Sequence, residues 1–115
     1  MFPKNTFLSP DPIRNPLFHN WTKAYFPYCD GSYHEGTRFE PLEYKDASLY
    51  FRGSNNTLTS IAYLEEKLKI FDADRLVVSG ISAGAMGSSL WGNYIYKQSR
   101  KPEGVSLILD SGIFG

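Results

Sequence analysis

The sequence holds a single cysteine, Cys29, among 115 residues. One cysteine cannot form a disulfide by itself, so a disulfide framework within these residues is excluded. Two interpretations of Cys29 stay open. In a cytosolic protein it is an ordinary buried thiol, and in a secreted protein its partner lies elsewhere.

An excess of either charge is also missing, because twelve Lys and Arg balance twelve Asp and Glu. The composition therefore favours neither nucleic acid nor an anionic membrane as a partner. No stretch approaches the roughly 18 apolar residues of a membrane-spanning helix. Residues 1–10 lack the apolar centre of a signal peptide, which indicates either a cytosolic protein or an N-terminus that is not the natural start.

Aromatic residues are abundant, with eight Tyr, eight Phe and two Trp. This excludes a disordered chain, and the length allows one domain at most. Four prolines within residues 1–20 predict an irregular, extended arm, since proline fixes φ and pushes its predecessor to extended geometry.

Hydrophobic periodicity and turn signals divide the remainder, residues 21–115, into alternating strands and helices. Asn56 or Thr57 is the expected N-cap of the first helix. The order predicts an α/β domain with a mostly parallel sheet. The predicted elements are a strand within 23–29, a polar loop over 30–46, a strand at 47–52, a helix over 58–71, a buried strand at 76–79, a helix from Ala83 to about residue 96 and a buried strand at 105–109.

The chemically informative motif is Gly80-Ile81-Ser82-Ala83-Gly84, between a buried strand and a helix. A Gly-x-Ser-x-Gly sequence in that position is typical of a nucleophile elbow. The serine sits on a tight, strained turn, and we expect a Cβ at Gly80 or Gly84 to collide with the adjoining strand or helix. Ser82 is therefore the candidate nucleophile, and the Ala83 N–H is the candidate oxyanion donor.

The alternative interpretation is a glycine-rich strand-to-helix turn that binds phosphate or has only a packing role. A P-loop is excluded because Gly-Lys-Ser/Thr does not follow, and the Gly-x-Gly-x-x-Gly dinucleotide motif is absent. No histidine follows Ser82, and His19 and His34 upstream are interpreted as surface loop residues. Asp110 is either a catalytic acid or a strand-end carboxylate within a turn.

Several segments together resemble the pectin acetylesterase family, which also contains the Notum carboxylesterases. The resemblance spans roughly residues 13–115. It rests on five segments: Asn15-Pro16 with Asn20-Trp21-Thr22-Lys23, Pro27-Tyr28-Cys29-Asp30-Gly31-Ser32, Leu49-Tyr50-Phe51-Arg52-Gly53, Ser79 to Gly84, and Leu109-Asp110-Ser111-Gly112-Ile113-Phe114.

The resemblance implies an α/β-hydrolase-like fold, with residues 21–115 as its central part, incomplete at both ends. It implies ester hydrolysis without metal or cofactor, by a mostly secreted enzyme acting on O-acetylated glycan or another acyl ester. The family's acid and base would follow this chain and its oxyanion loop would precede it. Cys29 matches a position that the family usually holds in a disulfide, whose partner is then outside these residues.

The resemblance is imperfect at the motif itself. The family often has Cys where this chain has Ile81, and glycine where it has Ala85. The loop after Cys29 would lie near the pocket mouth, which makes Asp30 and Tyr33 candidates for substrate contact, although turn architecture is the favoured role. An acyl pocket could use Trp21, Tyr25 and Phe26, for which core packing is favoured.

The leading hypothesis is a serine carboxylesterase of the pectin acetylesterase/Notum type. The first alternative is an inactive fragment or pseudoenzyme that lacks the downstream Asp and His. The second is a lipase-type hydrolase that uses Asp110 as its acid. The sequence leaves the oligomeric state and the acyl length open.

Overall fold

The structure, a computed structural model, describes residues 7–112. Within them the elements follow the order strand, strand, helix, strand, helix, strand, with a 3₁₀ turn after each helix. They are β1 (Leu42–Tyr44), β2 (Ala47–Leu49), α1 (Gly53–Leu68), a 3₁₀ turn (Ile70–Asp72), β3 (Leu76–Ile81), α2 (Ala83–Gln98), a 3₁₀ turn (Pro102–Gly104) and β4 (Val105–Asp110).

A β3–α2–β4 unit forms the centre of the described chain. β3 and β4 are parallel, with Leu76 opposite Val105 and Ile81 opposite Asp110. Parallel neighbours need a crossover connection, and α2 supplies it. The predicted α/β arrangement and the parallel pairing are confirmed at this unit, whereas the complete hydrolase fold stays a prediction.

The hydrophobic core lies between the two helices and this sheet. Ile61 of α1 and Trp91 and Ile95 of α2 form its buried centre. Alternate residues of a strand point to one face, so Leu76 and Val78 of β3 both pack against that cluster. Partly buried side chains complete it: Phe26, Ile70, Phe71, Tyr94 and Val105.

β4 departs from its predicted burial. Leu107, Ile108 and Leu109 are each more than a third exposed among the described residues. One face of β4 packs against α2. The Leu107 side chain lies so close to Gly92 of α2 that a Cβ added to this glycine would lie 2.1 Å from it. The apolar sequence of this strand therefore reflects a two-sided environment that residues 7–112 supply on one side only.

Two predictions before α1 differ from the structure, one for a strand and one for a loop. Residues 23–29 contain no strand, because no neighbouring strand within 7–112 offers them a hydrogen-bond ladder. The predicted polar loop over 30–46 contains β1, which pairs antiparallel with β2 across a turn at Lys45 and Asp46. Lys45 has a positive φ of 52°, as a tight hairpin requires.

Helix α1 starts earlier than predicted, at Gly53 rather than near Leu58. Arg52 is its N-cap residue and makes no side-chain cap. Neither Asn56 nor Thr57 caps the helix, since both lie inside it. The Asp30 carboxylate interacts instead with the first N–H groups, as described below.

Over residues 7–20 the N-terminal arm folds into irregular turns instead of extending. The Asp11 carbonyl accepts from the N–H groups of Arg14 and Asn15. The buried Asn15 amide donates to the carbonyls of Phe7 (2.7 Å) and Ser9 (2.8 Å). These local bonds outweigh the extended preference of the prolines. Residues 1–6 and 113–115 lie outside the description, and with them Pro3 and the Ile113-Phe114 end of the last resemblance segment.

Candidate active site

Ser82 is the single residue between the end of β3 at Ile81 and the start of α2 at Ala83. Its backbone has φ 54° and ψ −117°, a conformation that side-chain-bearing residues rarely adopt. Such a backbone costs about 1–3 kcal/mol and persists only where the surrounding structure holds it. The residue is exposed. The strained turn predicted from the motif is confirmed.

Hydrogen bonds on both sides hold this strained residue. The Ser82 N–H donates to the Asp110 carbonyl at 2.9 Å, which extends the β3–β4 ladder by one residue. The Ser82 carbonyl accepts from the N–H groups of Ala85 (2.9 Å) and Met86 (3.2 Å) in the first turn of α2. The serine backbone is therefore fixed between strand and helix while its side chain stays at the surface.

Of the two glycines in the motif, only Gly80 is tightly surrounded by other atoms of the described residues. A Cβ on Gly80 would lie 2.0 Å from the Gly84 carbonyl oxygen and 2.7 Å from the Ala85 nitrogen. A Cβ on Gly84 would meet no atom within 4 Å outside the backbone of its own helix turn and its chain neighbours, as far as residues 7–112 are concerned. An added Cβ would therefore collide with backbone atoms at Gly80, whereas residues 7–112 leave space for one at Gly84.

The start of α2 faces the same turn. Ala83 is the first residue of α2, so its N–H has no carbonyl within the helix to bond. The N-terminal end of a 16-residue helix also carries partial positive charge. A donor in this position, next to an exposed serine hydroxyl, can stabilise negative charge that develops on a bound carbonyl oxygen.

Asp110 ends β4 directly beside the turn, opposite Ile81. Its carbonyl holds the Ser82 N–H, and its carboxylate accepts the Ser111 hydroxyl at 2.7 Å. Ser111 itself has a positive φ of 55°. Asp110 is therefore a strand-end carboxylate bonded to a neighbouring hydroxyl, and its part in catalysis stays a prediction.

Comparison of the sequence with known protein families identifies the family to which this chain belongs. The pectinacetylesterase family model matches residues 2–115. The chain belongs to the pectinacetylesterase family. It is 34% identical over 110 residues to pectin acetylesterase 5 of Arabidopsis thaliana, covering 93% of this chain and 25% of that protein.

Two further relatives from Arabidopsis thaliana are 32% identical to this pectinacetylesterase chain. They are pectin acetylesterase 4, matched over 91% of this chain, and pectin acetylesterase 11, matched over 87%. The chain spans about a quarter of the length of each of the three curated relatives, 25% in every case. No solved structure gives a significant match.

A loop of this pectinacetylesterase chain, Asp30–Gly36, lies against both helices and was not foreseen as a structural unit. The Asp30 carboxylate accepts from the Ser32 N–H (3.1 Å) and the Ser32 hydroxyl (2.7 Å). The backbone N–H groups of Arg52 and Gly53, at the start of α1, also interact favourably with this carboxylate. Asp30 therefore places its negative charge at the N-terminal end of α1, where the helix dipole favours it.

The same hydrogen bonds set the ionisation of Asp30. Desolvation by partial burial acts to raise its pKa, but the bonds from Ser32, Gly53 and Arg52 together outweigh it and lower the pKa below the ordinary value of 3.8. The folded state therefore favours the charged carboxylate. Its contribution to stability is complete above the ordinary pKa and is lost as the pH falls through the lowered one.

We expect Asp30→Ala to lower the free energy of unfolding by about 1 kcal/mol at neutral pH, the usual cost of losing a carboxylate at the N-terminal end of a helix. The difference from wild type should shrink as the pH falls below 3.8, because protonation weakens the same bonds in the wild type. Urea denaturation at several pH values measures both effects. Glu35→Gln, an exposed acidic residue of the same loop, is the matched control. A difference that stays constant down to pH 2 would exclude this role of the Asp30 charge.

The other predicted candidates are spread through the structure. Phe26 packs against the core, which confirms its favoured role. Trp21 stacks edge-to-face on Phe18 at 5.0 Å, and Tyr25 is largely exposed. The His19 ring is half-buried and its Nδ1 has no hydrogen-bond partner among the described residues. Cys29 is exposed, which does not fit the ordinary buried thiol expected in a cytosolic protein.

Neither a metal site nor a membrane span emerges from the part of the chain that is described. No group of three or more His, Cys, Asp or Glu side chains there could hold a metal ion. Neither described helix is long and apolar enough to cross a bilayer.

Proposed function

We propose that this chain carries the nucleophile of a serine carboxylesterase that removes acetyl groups from an O-acetylated glycan. The observation that carries the proposal is the backbone of Ser82, strained at φ 54° and exposed between β3 and α2. Membership of the pectinacetylesterase family supports the reaction class, and the names of the relatives support pectin as the acetylated polymer.

In this mechanism the Ser82 hydroxyl attacks the ester carbonyl, and a base takes its proton. The Ala83 N–H donates to the oxyanion of the tetrahedral intermediate. The intermediate expels the sugar oxygen, which receives the proton, and leaves an acetyl group on Ser82. Water activated by the same base then releases acetate and restores the hydroxyl. Gly80 keeps the turn tight enough for the serine to stand above the sheet, and Gly84 lies in the first turn of α2.

The base in this proposal is a histidine outside the present sequence, because no histidine follows Ser82 in it. The proposed chain order of nucleophile, acid and base also places the acid after Ser82. Asp110 is the acid in the lipase-type alternative. Full activity of Asp110→Asn in the enzyme would exclude that alternative.

The proposal needs no metal or cofactor, and we propose a secreted enzyme. The full-length gene product that carries these residues, hereafter the full-length protein, should release acetate from acetylated pectin. A metal chelator such as EDTA should leave the rate unchanged, because hydroxyl, imidazole and N–H groups perform every step. A coupled acetate assay with and without EDTA measures this.

Three outcomes of that assay separate the hypotheses. Acetate release that survives EDTA supports the proposal. Loss of release on EDTA, restored by a divalent ion, would contradict the metal-free mechanism. Absence of release from every acetyl ester tried would favour the inactive pseudoenzyme.

A further inference from the structure

Three aromatic rings gather on the surface of the Asp30–Gly36 loop, and we call them the aromatic shelf: Tyr28, Tyr33 and His34. The Tyr28 and Tyr33 rings are stacked, with centroids 6.4 Å apart and planes 25° apart. The His34 ring lies 5.2 Å from that of Tyr28. Tyr28 and Tyr33 remain 44% and 47% exposed. Among residues 7–112, the stacked pair therefore keeps about half of its ring surface exposed, which is the surface that a ligand would contact.

The backbone under the shelf is strained and firmly held. Tyr33 and His34 both have positive φ, 56° and 65°, in succession. The Trp91 indole N–H, from the buried core, donates to the His34 carbonyl at 2.8 Å. The Tyr33 N–H donates to the Tyr28 hydroxyl oxygen at 3.2 Å. Strained backbone that is anchored in this way clusters at ligand-binding sites, because the strain presents side chains that relaxed backbone would not.

The shelf is also tied to the helix that follows Ser82. A Cβ on Gly87 would lie 2.7 Å from the Tyr33 carbonyl oxygen and 3.0 Å from the His34 Cβ, so the loop rests on Gly87. Residues four apart share a helix face, which places Ala83, Gly87 and Trp91 in one row. The loop occupies this row about one turn, or 5.4 Å, beyond Ala83. The loop backbone therefore contacts the same helix that begins directly after Ser82.

We propose that the aromatic shelf binds a sugar ring of the glycan whose acetyl ester reacts at Ser82; this rests on the proposed function. One face of a pyranose presents C–H groups and is apolar, while its hydroxyls point outward. Tyrosine offers a flat apolar face with a polar edge, which suits that shape. An acyl chain needs an enclosed apolar pocket, and this shelf is open to solvent.

The test compares two substrates in the full-length protein. Tyr33→Ala removes half of the stacked pair, and Tyr33→Phe keeps the ring. For an acetylated pectin oligosaccharide we expect kcat/KM to fall about tenfold in Tyr33→Ala, mostly through KM, and little in Tyr33→Phe. For 4-nitrophenyl acetate, which has no sugar, the fall should be several-fold smaller. Tyr63→Ala, an exposed tyrosine on α1, is the matched control and should affect neither substrate.

Failure of this inference can be told apart from failure of the proposed function. An equal loss on both substrates, or no loss on the oligosaccharide, would overturn the shelf while leaving the esterase intact. Binding is measured separately, by NMR titration of wild type with a deacetylated pectin oligosaccharide. Shifts of the Tyr28 and Tyr33 ring signals support the shelf even if no ester is hydrolysed or Tyr33→Ala does not fold. Unmoved ring signals at saturating sugar would overturn it.

Discussion

Ser82→Ala in the full-length protein should lose about four to six orders of magnitude in kcat toward acetyl esters, the range for removing a serine nucleophile. The loss is this large because the Ser82 hydroxyl itself forms the covalent acyl intermediate in the proposed mechanism. Steady-state hydrolysis of 4-nitrophenyl acetate measures it. Alanine keeps the same backbone strain, so the thermal midpoint should change little.

Two variants make that experiment diagnostic. Ser88→Ala, in the middle of α2, removes a hydroxyl away from the turn and should keep its activity. Ser82→Gly should be as inactive as Ser82→Ala yet more stable, by about 1 kcal/mol, because glycine adopts positive φ without a Cβ clash. Wild-type turnover in Ser82→Ala would refute the nucleophile. A Ser82→Gly variant less stable than Ser82→Ala would refute the strain.

Gly80→Ala should destabilise the protein by about 3 kcal/mol, as overpacking into backbone atoms does. The new Cβ would lie 2.0 Å from the Gly84 carbonyl oxygen. Because β3 and α2 both pack on the core, neither can move apart without loss of core contacts. The matched variant Gly84→Ala adds the same methyl group in open space within a helix. It should be neutral or stabilising by up to about 1 kcal/mol.

Urea denaturation of the two variants beside wild type measures the contrast. The sequence motif treats the two glycines alike, whereas the structure separates them, so opposite signs are the specific outcome. Equal destabilisation by both would mean that Gly84 is crowded by atoms outside residues 7–112. A neutral Gly80→Ala would contradict the tight approach of β3 to α2.

The part of the fold nearest the site could be predicted from sequence because its signals are local. The local pattern has three parts: an apolar β-branched run, then Ser82 with a glycine two residues to either side, then helical spacing of apolar residues. Together they predict a strand, a turn and a helix within about 20 residues. The structure has β3, the strained Ser82 and α2 in those places. The parallel pairing with β4 followed from the alternation of elements alone.

The features that sequence reasoning missed depend on partners far away in the chain. The start of α1 lies beside the Asp30 carboxylate, which comes more than twenty residues earlier in the chain. The Asp30–Gly36 loop is fixed by Trp91, 57 residues after His34. Residues 23–29 have strand-like composition, yet strand geometry needs a neighbour, and none is present within 7–112. The one available hint was Gly87, a helix glycine whose missing side chain admits the loop.

The most direct test of the central claim is to trap the nucleophile. The full-length protein is incubated with a fluorophosphonate, which reacts with activated serine hydroxyls, and the modified peptide is identified by mass spectrometry. The account predicts one stoichiometric adduct, on Ser82, with loss of esterase activity in step with labelling. An adduct on a different serine, or inactivation without modification of Ser82, would contradict it.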